Sequence, residues 1–139
     1  MLKKYSLLAV MLLCLAACTT TSATTPLQQV NGSWELSFDE TLAASQELRD
    51  LVKDDSDMEE YMRESMQGLL LTIDVERSLI ILTVEGDVDD ESEFTVVSES
   101  AEEGKLVLDM SGDEFTLVVN GDRMEWLEAG DTLVFKRVK

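Results

Sequence analysis

The second half of the chain consists of short runs of strand type, separated by residue pairs that favour tight turns. Seven such runs follow one another, at residues 69–76, 79–85, 94–96, 106–110, 115–119, 124–126 and 133–135. Apolar residues that recur with a period of two are typical of strands with one buried face. Connections this short force neighbouring strands to be antiparallel. With residues 32–38 as the first strand, the pattern predicts a mainly β fold: an antiparallel up-and-down meander of about eight strands. Closure into a barrel is expected because an open sheet leaves two long edges exposed.

Turn signals mark the ends of several of these strands. Asn120-Gly121 is the strongest, since both central residues of a type I′ hairpin turn need positive φ. Ser111-Gly112 and Ala129-Gly130 are similar signals, and Arg77-Ser78 is the expected turn between the second and third strands. The sequence therefore predicts hairpins at all four places.

Between the first strand and the meander, the spacing of apolar residues changes from two to three and four. Residues 41–52 carry a broad apolar stripe. The segment Ser56-Asp57-Met58-Glu59 has the form of a capping box that begins a second helix. The apolar residues that recur there at spacings of three and four are Met58, Tyr61, Met62, Met66 and Leu69. The pattern predicts two short amphipathic helices inserted after strand one, with Gly68 as the stop.

The first eighteen residues resemble the processing site of a bacterial lipoprotein. Lys3 and Lys4 precede an apolar run at residues 7–15, which leads into Ala16-Ala17-Cys18. The run is too short to span a bilayer, which needs about twenty apolar residues. The resemblance implies that residues 1–17 are a signal peptide that is removed and that Cys18 is acylated, so that the protein is anchored in membrane lipid. An ordinary secretory signal with a chance cysteine is the alternative.

Residues 18–30 follow as the lipidated cysteine and an uncharged, flexible tether that contains the only proline, Pro26. Residues 31–139 are then the folded domain, long enough for one core and too short for two. In bacteria with two membranes, lipoproteins with aspartate after the lipidated cysteine stay in the inner membrane. Because Thr19 occupies that position, the resemblance implies a cell-envelope protein of the outer membrane that faces the periplasm.

The chain lacks the residues on which several common classes of enzyme depend. The chain contains no histidine, Cys14 lies in the predicted signal peptide, and Cys18 is the predicted lipidation site. Histidine-dependent triads, imidazole zinc sites, cysteine nucleophiles and disulfides are therefore not expected. Glycosidases use a pair of carboxylates, but acidic residues are so numerous in this chain that no particular pair can be singled out. We name no catalytic residue, no metal ligand and no cofactor, and we expect a protein that is not an enzyme.

The chain is strongly acidic. Its formal charge is −18, and removal of residues 1–17 takes away two lysines and no acid, which makes it −20. This charge repels phosphate backbones, so nucleic acid is not an expected partner. The charge is interpreted as a solvated surface, with attraction to cations or to a basic protein as the alternative. The run 87–93 has carboxylates at positions one, three and five of a calcium loop, but Ser92 and Ser98 stand at positions six and twelve. It is interpreted as a solvated hairpin loop, with weak calcium binding as the alternative.

Three features of the predicted domain resemble the calycins, the family of lipocalin and fatty-acid-binding barrels. Gly32-Ser33-Trp34 is similar to the G-x-W motif of strand one, the helix pair is similar to that of the fatty-acid-binding branch, and Arg137 lies in the last strand. The resemblance implies a lipocalin-like barrel in which Arg137 packs over Trp34 in a cation-π contact and closes one end. The Arg-x-Tyr pair with which the fatty-acid-binding branch holds a carboxylate is absent, because Val138 and Lys139 follow Arg137.

These features favour a membrane-anchored, non-enzymatic lipoprotein whose barrel binds a small apolar ligand. A barrel of eight strands can instead be filled by its own side chains, and the inward residues do not decide between the two. The alternative function is that of an acidic module that binds or inhibits a basic protein of the cell envelope.

Overall fold

The structure is a computed structural model that describes residues 24–139, so the predicted signal peptide, Cys18 and Thr19 lie outside the described residues. Residues 24–139 form four helices and nine strands. The helices are α1 (Pro26–Val30), α2 (Phe38–Ala44), α3 (Gln46–Val52) and α4 (Ser56–Met66). The strands are β1 (Gly32–Leu36), β2 (Leu69–Asp74), β3 (Leu79–Val84), β4 (Asp87–Glu93), β5 (Thr95–Ser100), β6 (Lys105–Met110), β7 (Asp113–Asn120), β8 (Arg123–Glu128) and β9 (Asp131–Arg137). None of these four helices is long and apolar enough to cross a membrane.

All nine strands belong to one antiparallel sheet, in the order β4-β3-β2-β1-β9-β8-β7-β6-β5. Strand β1 pairs with both β2 and β9, so the first and last strands meet in the centre of the sheet. The prediction of a mainly β domain with an antiparallel meander is confirmed. The prediction of a closed barrel of eight strands is wrong, because the sheet is a curled half-barrel of nine strands whose edges, β4 and β5, do not pair with each other.

The sheet is open where the chain passes from β4 to β5. Only Phe94 separates the two strands, and its side chain is buried. The chain pairs with β3 before Phe94 and with β6 after it, so the single strand predicted around residues 94–96 is replaced by two edge strands. Five of the seven residues of β4 are acidic. Charged side chains protect an edge against unwanted pairing, which allows this sheet to remain open.

The acidic run 87–93 is strand β4 and not the predicted hairpin loop. It begins directly after Glu85 and Gly86, which both have positive φ and connect β3 to β4 as a tight turn. The strand shows no alternating pattern because nearly all of its side chains are exposed. Backbone pairing with β3 holds it in place, and a hydrophobicity pattern cannot reveal that kind of strand.

The predicted hairpins exist, but the turn between β2 and β3 spans residues 75–78 and not Arg77-Ser78 alone, and a second turn differs in geometry. Positive φ occurs at both residues of Ser111-Gly112 and of Ala129-Gly130. At Asn120-Gly121, only Gly121 has positive φ, and Asn120 is paired with Arg123 as the last residue of β7. The turn residues are therefore Gly121 and Asp122.

Three helices, and not the predicted two, lie between β1 and β2. Ser45 ends α2 and also caps α3, since its hydroxyl accepts a hydrogen bond from the Leu48 amide at 3.2 Å. This capping interrupts what the apolar stripe predicts as one helix. The third helix, α4, is capped by Asp55, one residue before the predicted cap, Ser56.

The end of the predicted tether is folded. Thr25 and Gln28 form a capping box around α1, and Pro26 stands at its first position, where proline is favoured. Pro26 and Val30 are buried, and Leu27 packs against the core. The sequence predicts a folded domain that begins at residue 31. The folded part of the chain begins earlier, with α1.

Side chains from one face of the sheet, together with Val30 of α1 and Phe94, form the main core. The buried members are Val30, Trp34, Leu71, Ile73, Ile80, Phe94, Leu106, Leu108, Phe115, Leu117, Val119, Met124 and Phe135. Because side chains alternate along a strand, the residues that continue these rows, such as Trp126, Glu128 and Arg137, lie on the same face. The rows therefore extend beyond the packed core at both ends.

Candidate ligand-binding cavities

The hairpin of β8 and β9 carries a row of inner side chains whose character changes along its length. Its cross-strand pairs are Met124 with Phe135, Trp126 with Leu133 and Glu128 with Asp131. The first pair lies in the core, the second is half-buried, and the third is exposed beside the turn. An apolar surface therefore ends at two carboxylates. Like charges opposite each other destabilise a strand pair, so this pair is not explained by stability.

The first hollow along this row, called here the sheet cavity, lies against the inner face of the sheet. Its volume is about 250 Å³. It is lined by Leu69, Leu71, Ile80, Leu82, Asp90, Ser92, Met110, Trp126, Glu128, Leu133 and Phe135. The apolar residues come from five strands, and Asp90 and Ser92 come from the edge strand β4. The interior is therefore not completely filled by its own side chains.

The second hollow, called here the helix cleft, lies between the three helices and the β8–β9 hairpin. Its volume is about 440 Å³. It is lined by Thr41, Ser45, Glu47, Leu48, Leu51, Met62, Met66, Trp126, Glu128, Ala129, Asp131, Thr132 and Leu133. Trp126, Glu128 and Leu133 line both hollows. The sheet cavity and the helix cleft thus adjoin each other at these three residues.

Trp126 is held in a defined orientation where the two hollows meet. Its ring stacks on Phe115, with centroids 4.1 Å apart and planes inclined by 5°. Its indole N–H donates a hydrogen bond to Oε2 of Glu128 at 3.2 Å. Stacking and hydrogen bonding together restrict the ring. The tryptophan therefore presents a preformed apolar wall with a carboxylate at its edge.

The electrostatic character of both hollows is negative. Among the described residues that line them, four are carboxylates, Glu47, Asp90, Glu128 and Asp131, and none is lysine or arginine. A hydrogen bond with Asp131 and repulsion from its charge raise the pKa of the Glu47 carboxyl above its ordinary value. Two acids that share a site resist simultaneous ionisation in this way. The rim of the helix cleft is thus suited to a positive group.

Helix α4 forms one wall of the helix cleft through Met62 and Met66. The predicted apolar stripe of this helix is not buried in the core: no residue of α4 is buried, and Met58 and Tyr61 are exposed. Methionine is flexible and adapts to irregular apolar partners. A helix with so little buried surface can move at low cost.

Arg63 attaches α4 to α2. Its guanidinium lies 2.7 Å from Asp39 and 3.2 Å from Glu59, and its Cζ is 4.6 Å from the centre of the Phe38 ring. The ion pairs with Asp39 and Glu59 raise the pKa of Arg63. Both ion pairs are solvent-exposed, and exposed pairs contribute little to stability, whereas the Phe38 ring is buried. The wall of the cleft is therefore tethered and not packed.

Gly32, Trp34 and Arg137 lie together at the opposite end of the inner face, called here the packed end. The Cζ atom of Arg137 is 4.3 Å from the centre of the Trp34 ring. Gly32 has a φ of 125°, and a Cβ atom there would lie 3.4 Å from Nη1 of Arg137. The small residue, the ring and the guanidinium thus form one compact contact.

Hydrogen bonds complete the packed end. Trp34 is fully buried, and its indole N–H donates to the carbonyl oxygen of Val30 at 2.8 Å. The Arg137 guanidinium donates to the carbonyl oxygens of Asn31 and Gln29, and its Nε lies 3.3 Å from a carboxylate oxygen of Asp122. The Trp34 indole N–H and all three guanidinium nitrogens of Arg137 therefore have partners within the protein.

The acidic run on β4 is not collected into a metal site. Within residues 24–139, no group of three or more Asp, Glu, His or Cys side chains is arranged to hold a metal ion. Asp90 alone of the five β4 acids lines the sheet cavity, opposite Leu82 of β3.

The carboxylates of the cavities are functional candidates that the sequence does not single out. Glu128 follows Met124 and Trp126 with a period of two, so their shared face is readable once β8 is recognised. Glu47 and Asp131 are brought together only by the placement of α3 on the hairpin turn. No local pattern contains that information.

Comparison with known proteins found no match to a protein-family model, a curated protein or a solved structure. The function must therefore be argued from the cavities, their lining and their charge.

Proposed function

We propose that this protein is a lipid-anchored, non-enzymatic binding protein of the cell envelope that holds a small apolar ligand in a calycin-like half-barrel. The observation that carries the proposal is the pair of adjoining hollows with mainly apolar walls. Ligand sites in proteins have volumes of about 300 to 1,000 Å³, are lined mostly by apolar groups, and contain a few placed polar groups. The helix cleft, with about 440 Å³, falls in that range.

A neutral fluorescent probe tests the binding function directly. N-Phenylnaphthylamine gains fluorescence in apolar surroundings, so its titration with the folded protein should saturate and should be reversed by apolar competitors. Absence of saturable binding at protein concentrations up to the solubility limit would reject the proposal.

A matched pair of substitutions on α4 locates the binding site. Met62→Trp places a larger side chain in the wall of the helix cleft and should weaken probe binding. Met58→Trp makes the same change at a residue of the same helix that does not line the cleft, and it should leave binding unchanged. Equal effects of the two variants would place the probe elsewhere.

The anchor is proposed from the sequence of residues 1–18. Acylation of Cys18 would hold the acidic domain at a membrane surface whose charge repels it, since several acyl chains give attachment that charge cannot reverse. Metabolic labelling with a fatty-acid analogue should mark the wild-type protein and not Cys18→Ser. Equal label in both proteins would reject the anchor.

A second candidate function is the binding of a basic envelope protein. It is favoured by the exposed edge of β4, where five acidic side chains lie beside unpaired backbone groups. A partner bound by charge should dissociate as salt rises. It should also be lost with Asp89→Lys/Glu91→Lys and retained with Glu102→Lys/Glu103→Lys, which changes the charge by the same amount in the turn between β5 and β6. A partner whose binding is weakened neither by rising salt nor by Asp89→Lys/Glu91→Lys would contradict this function.

A further inference from the structure

We propose that the ligand of the two hollows is a cationic amphiphile, a small molecule with an apolar body and a protonated amine. This inference rests on the proposed binding function and names the chemical class of its ligand. The apolar body would lie along Trp126 and Leu133, and the amine would lie among Glu47, Glu128 and Asp131. The proposal follows from the observation that apolar walls and carboxylates occur together in the helix cleft.

Charge is the first argument. The described residues that line the sheet cavity and the helix cleft include acids and no basic side chain. An anionic ligand, such as a fatty acid, would lose its hydration without gaining a positive partner. An amine gains opposite charges at the rim and loses little hydration there, because Glu47, Glu128 and Asp131 are exposed.

The position of the carboxylates is the second argument. Glu128 and Asp131 lie opposite each other on the hairpin, and Glu47 approaches Asp131 from α3. Glu128 accepts the indole N–H of Trp126, which directs one oxygen toward the apolar wall. A carboxylate has further lone pairs, so this bond leaves capacity for an amine. The acids therefore stand at the mouth of an apolar hollow and not on a plain surface.

The mutual effect of the acids is the third argument. The neighbouring carboxyl of Asp131 raises the pKa of Glu47, so the two carboxylates repel each other when both are ionised. A bound amine would relieve that repulsion. A bare metal ion is a poor substitute, because no residues of the described chain form a metal-binding group and a metal would leave the apolar walls without a partner.

The cation at the packed end of the domain does not reach a ligand of the two hollows. Arg137 is committed to Trp34, to backbone carbonyls and to Asp122. It does not line either hollow. The negative charge that lines the sheet cavity and the helix cleft is therefore not balanced by Arg137.

A series of three competitors with one tail and different head groups tests the proposal. Dodecylammonium, dodecanol and dodecanoate would each displace N-phenylnaphthylamine from the full chain, at moderate salt and below the concentration at which each forms micelles. We expect dodecylammonium to compete best and dodecanoate worst, with about a three- to tenfold difference between dodecylammonium and dodecanol. Equal competition by all three, or preference for dodecanoate, would overturn the proposal.

Variants separate the cleft acids from the general charge of the protein. Glu47→Gln/Asp131→Asn should remove most of the preference for dodecylammonium while still binding the neutral probe. Glu102→Gln/Glu103→Gln removes the same charge from an exposed turn and should keep the preference. The reverse result would assign the preference to net charge and overturn the proposal. Glu47→Lys should shift the preference toward dodecanoate, and an unchanged order would also overturn it.

Two further outcomes are distinguishable. If the neutral probe does not bind at all, the proposed binding function fails together with its ligand class. If the probe binds but all head groups compete equally, the binding function stands and only the cationic ligand is rejected. Loss of probe binding with rising protein concentration, accompanied by a dimer in sedimentation, would assign the helix cleft to a second copy of the chain and would overturn the proposal.

Discussion

The inner row of strand β9 runs from Asp131 to Arg137, and its two ends are built in opposite ways. At the packed end, Arg137 covers a fully buried tryptophan, Trp34, and its donors are bonded within the protein. At the cleft end, Asp131 stands beside other carboxylates, and the nearby Trp126 is only half-buried. One tryptophan lies under a cation and the other beside an anion.

The difference indicates a division of roles between the two ends of one strand, β9. Satisfied hydrogen bonds and close packing at the packed end stabilise the fold. The cleft end has unfilled volume and uncompensated negative charge, which cost stability and are typical of binding sites. Substitutions at the two ends should therefore act on different properties.

The largest expected effect is the difference between the two tryptophans. Trp34→Ala removes a fully buried ring and should lower the free energy of unfolding by about 3 to 5 kcal/mol. Trp126→Ala removes a half-buried ring stacked on Phe115 and should lower it by about 1 to 2 kcal/mol. Urea denaturation followed by circular dichroism measures both. Similar losses, or a larger loss at Trp126, would contradict the division of roles.

The next effect concerns the cation over Trp34. Arg137→Met keeps much of the apolar contact but removes the guanidinium, and it should lower the free energy of unfolding by about 2 to 3 kcal/mol. Arg123→Met is the matched control, because Arg123 makes an exposed pair with Glu125 and should cost about 1 kcal/mol or less. Arg137→Met should not weaken probe binding in the cleft. A loss confined to binding would show that the two ends are coupled.

A smaller effect is expected for the attachment of α4. Arg63→Met removes exposed ion pairs with Asp39 and Glu59 and should lower the free energy of unfolding by less than about 1 kcal/mol. It should, however, speed hydrogen exchange of the α4 amides, since this helix has no buried residue to hold it. Arg77→Met, which removes an exposed pair with Asp74, should leave exchange in α4 unchanged. Unchanged exchange in Arg63→Met would mean that another contact holds the helix.

Much of the sheet is predictable because its signals are local. Alternation and glycine turns predict the strands from β6 to β9, and they place Trp34 and Arg137 on one face. The strand β4 is not predictable in this way, since its side chains are exposed and only its backbone pairing defines it. The open edge is equally hidden, because it depends on how the chain bends at a single residue, Phe94.

The candidate site also contains a part that the sequence predicts and a part that it does not. The contact of Arg137 with Trp34 is implied by the resemblance of Gly32-Ser33-Trp34 to the calycin motif, and strand parity adds only that Arg137 faces inward. The approach of Glu47 to Asp131 depends on three helices settling on a hairpin turn, and the break at Ser45 determines where α3 begins. Residues that are distant in sequence and polar in character carry no periodic signal.

The smallest expected effect is a dependence of stability on pH at the cleft end. Asp131 raises the pKa of Glu47 in the folded protein, so the folded state holds this proton more tightly than the unfolded state. Stability should therefore fall as pH rises from the ordinary pKa of glutamate through the raised value, and the loss should persist at neutral pH. Asp131→Asn removes the cause and should flatten this part of the profile, whereas Glu103→Gln should not. The free energy of unfolding is measured by urea denaturation at a series of acidic pH values. An unchanged profile in Asp131→Asn would mean that the two carboxylates do not interact, and the contrast between the ends of β9 would then rest on packing alone.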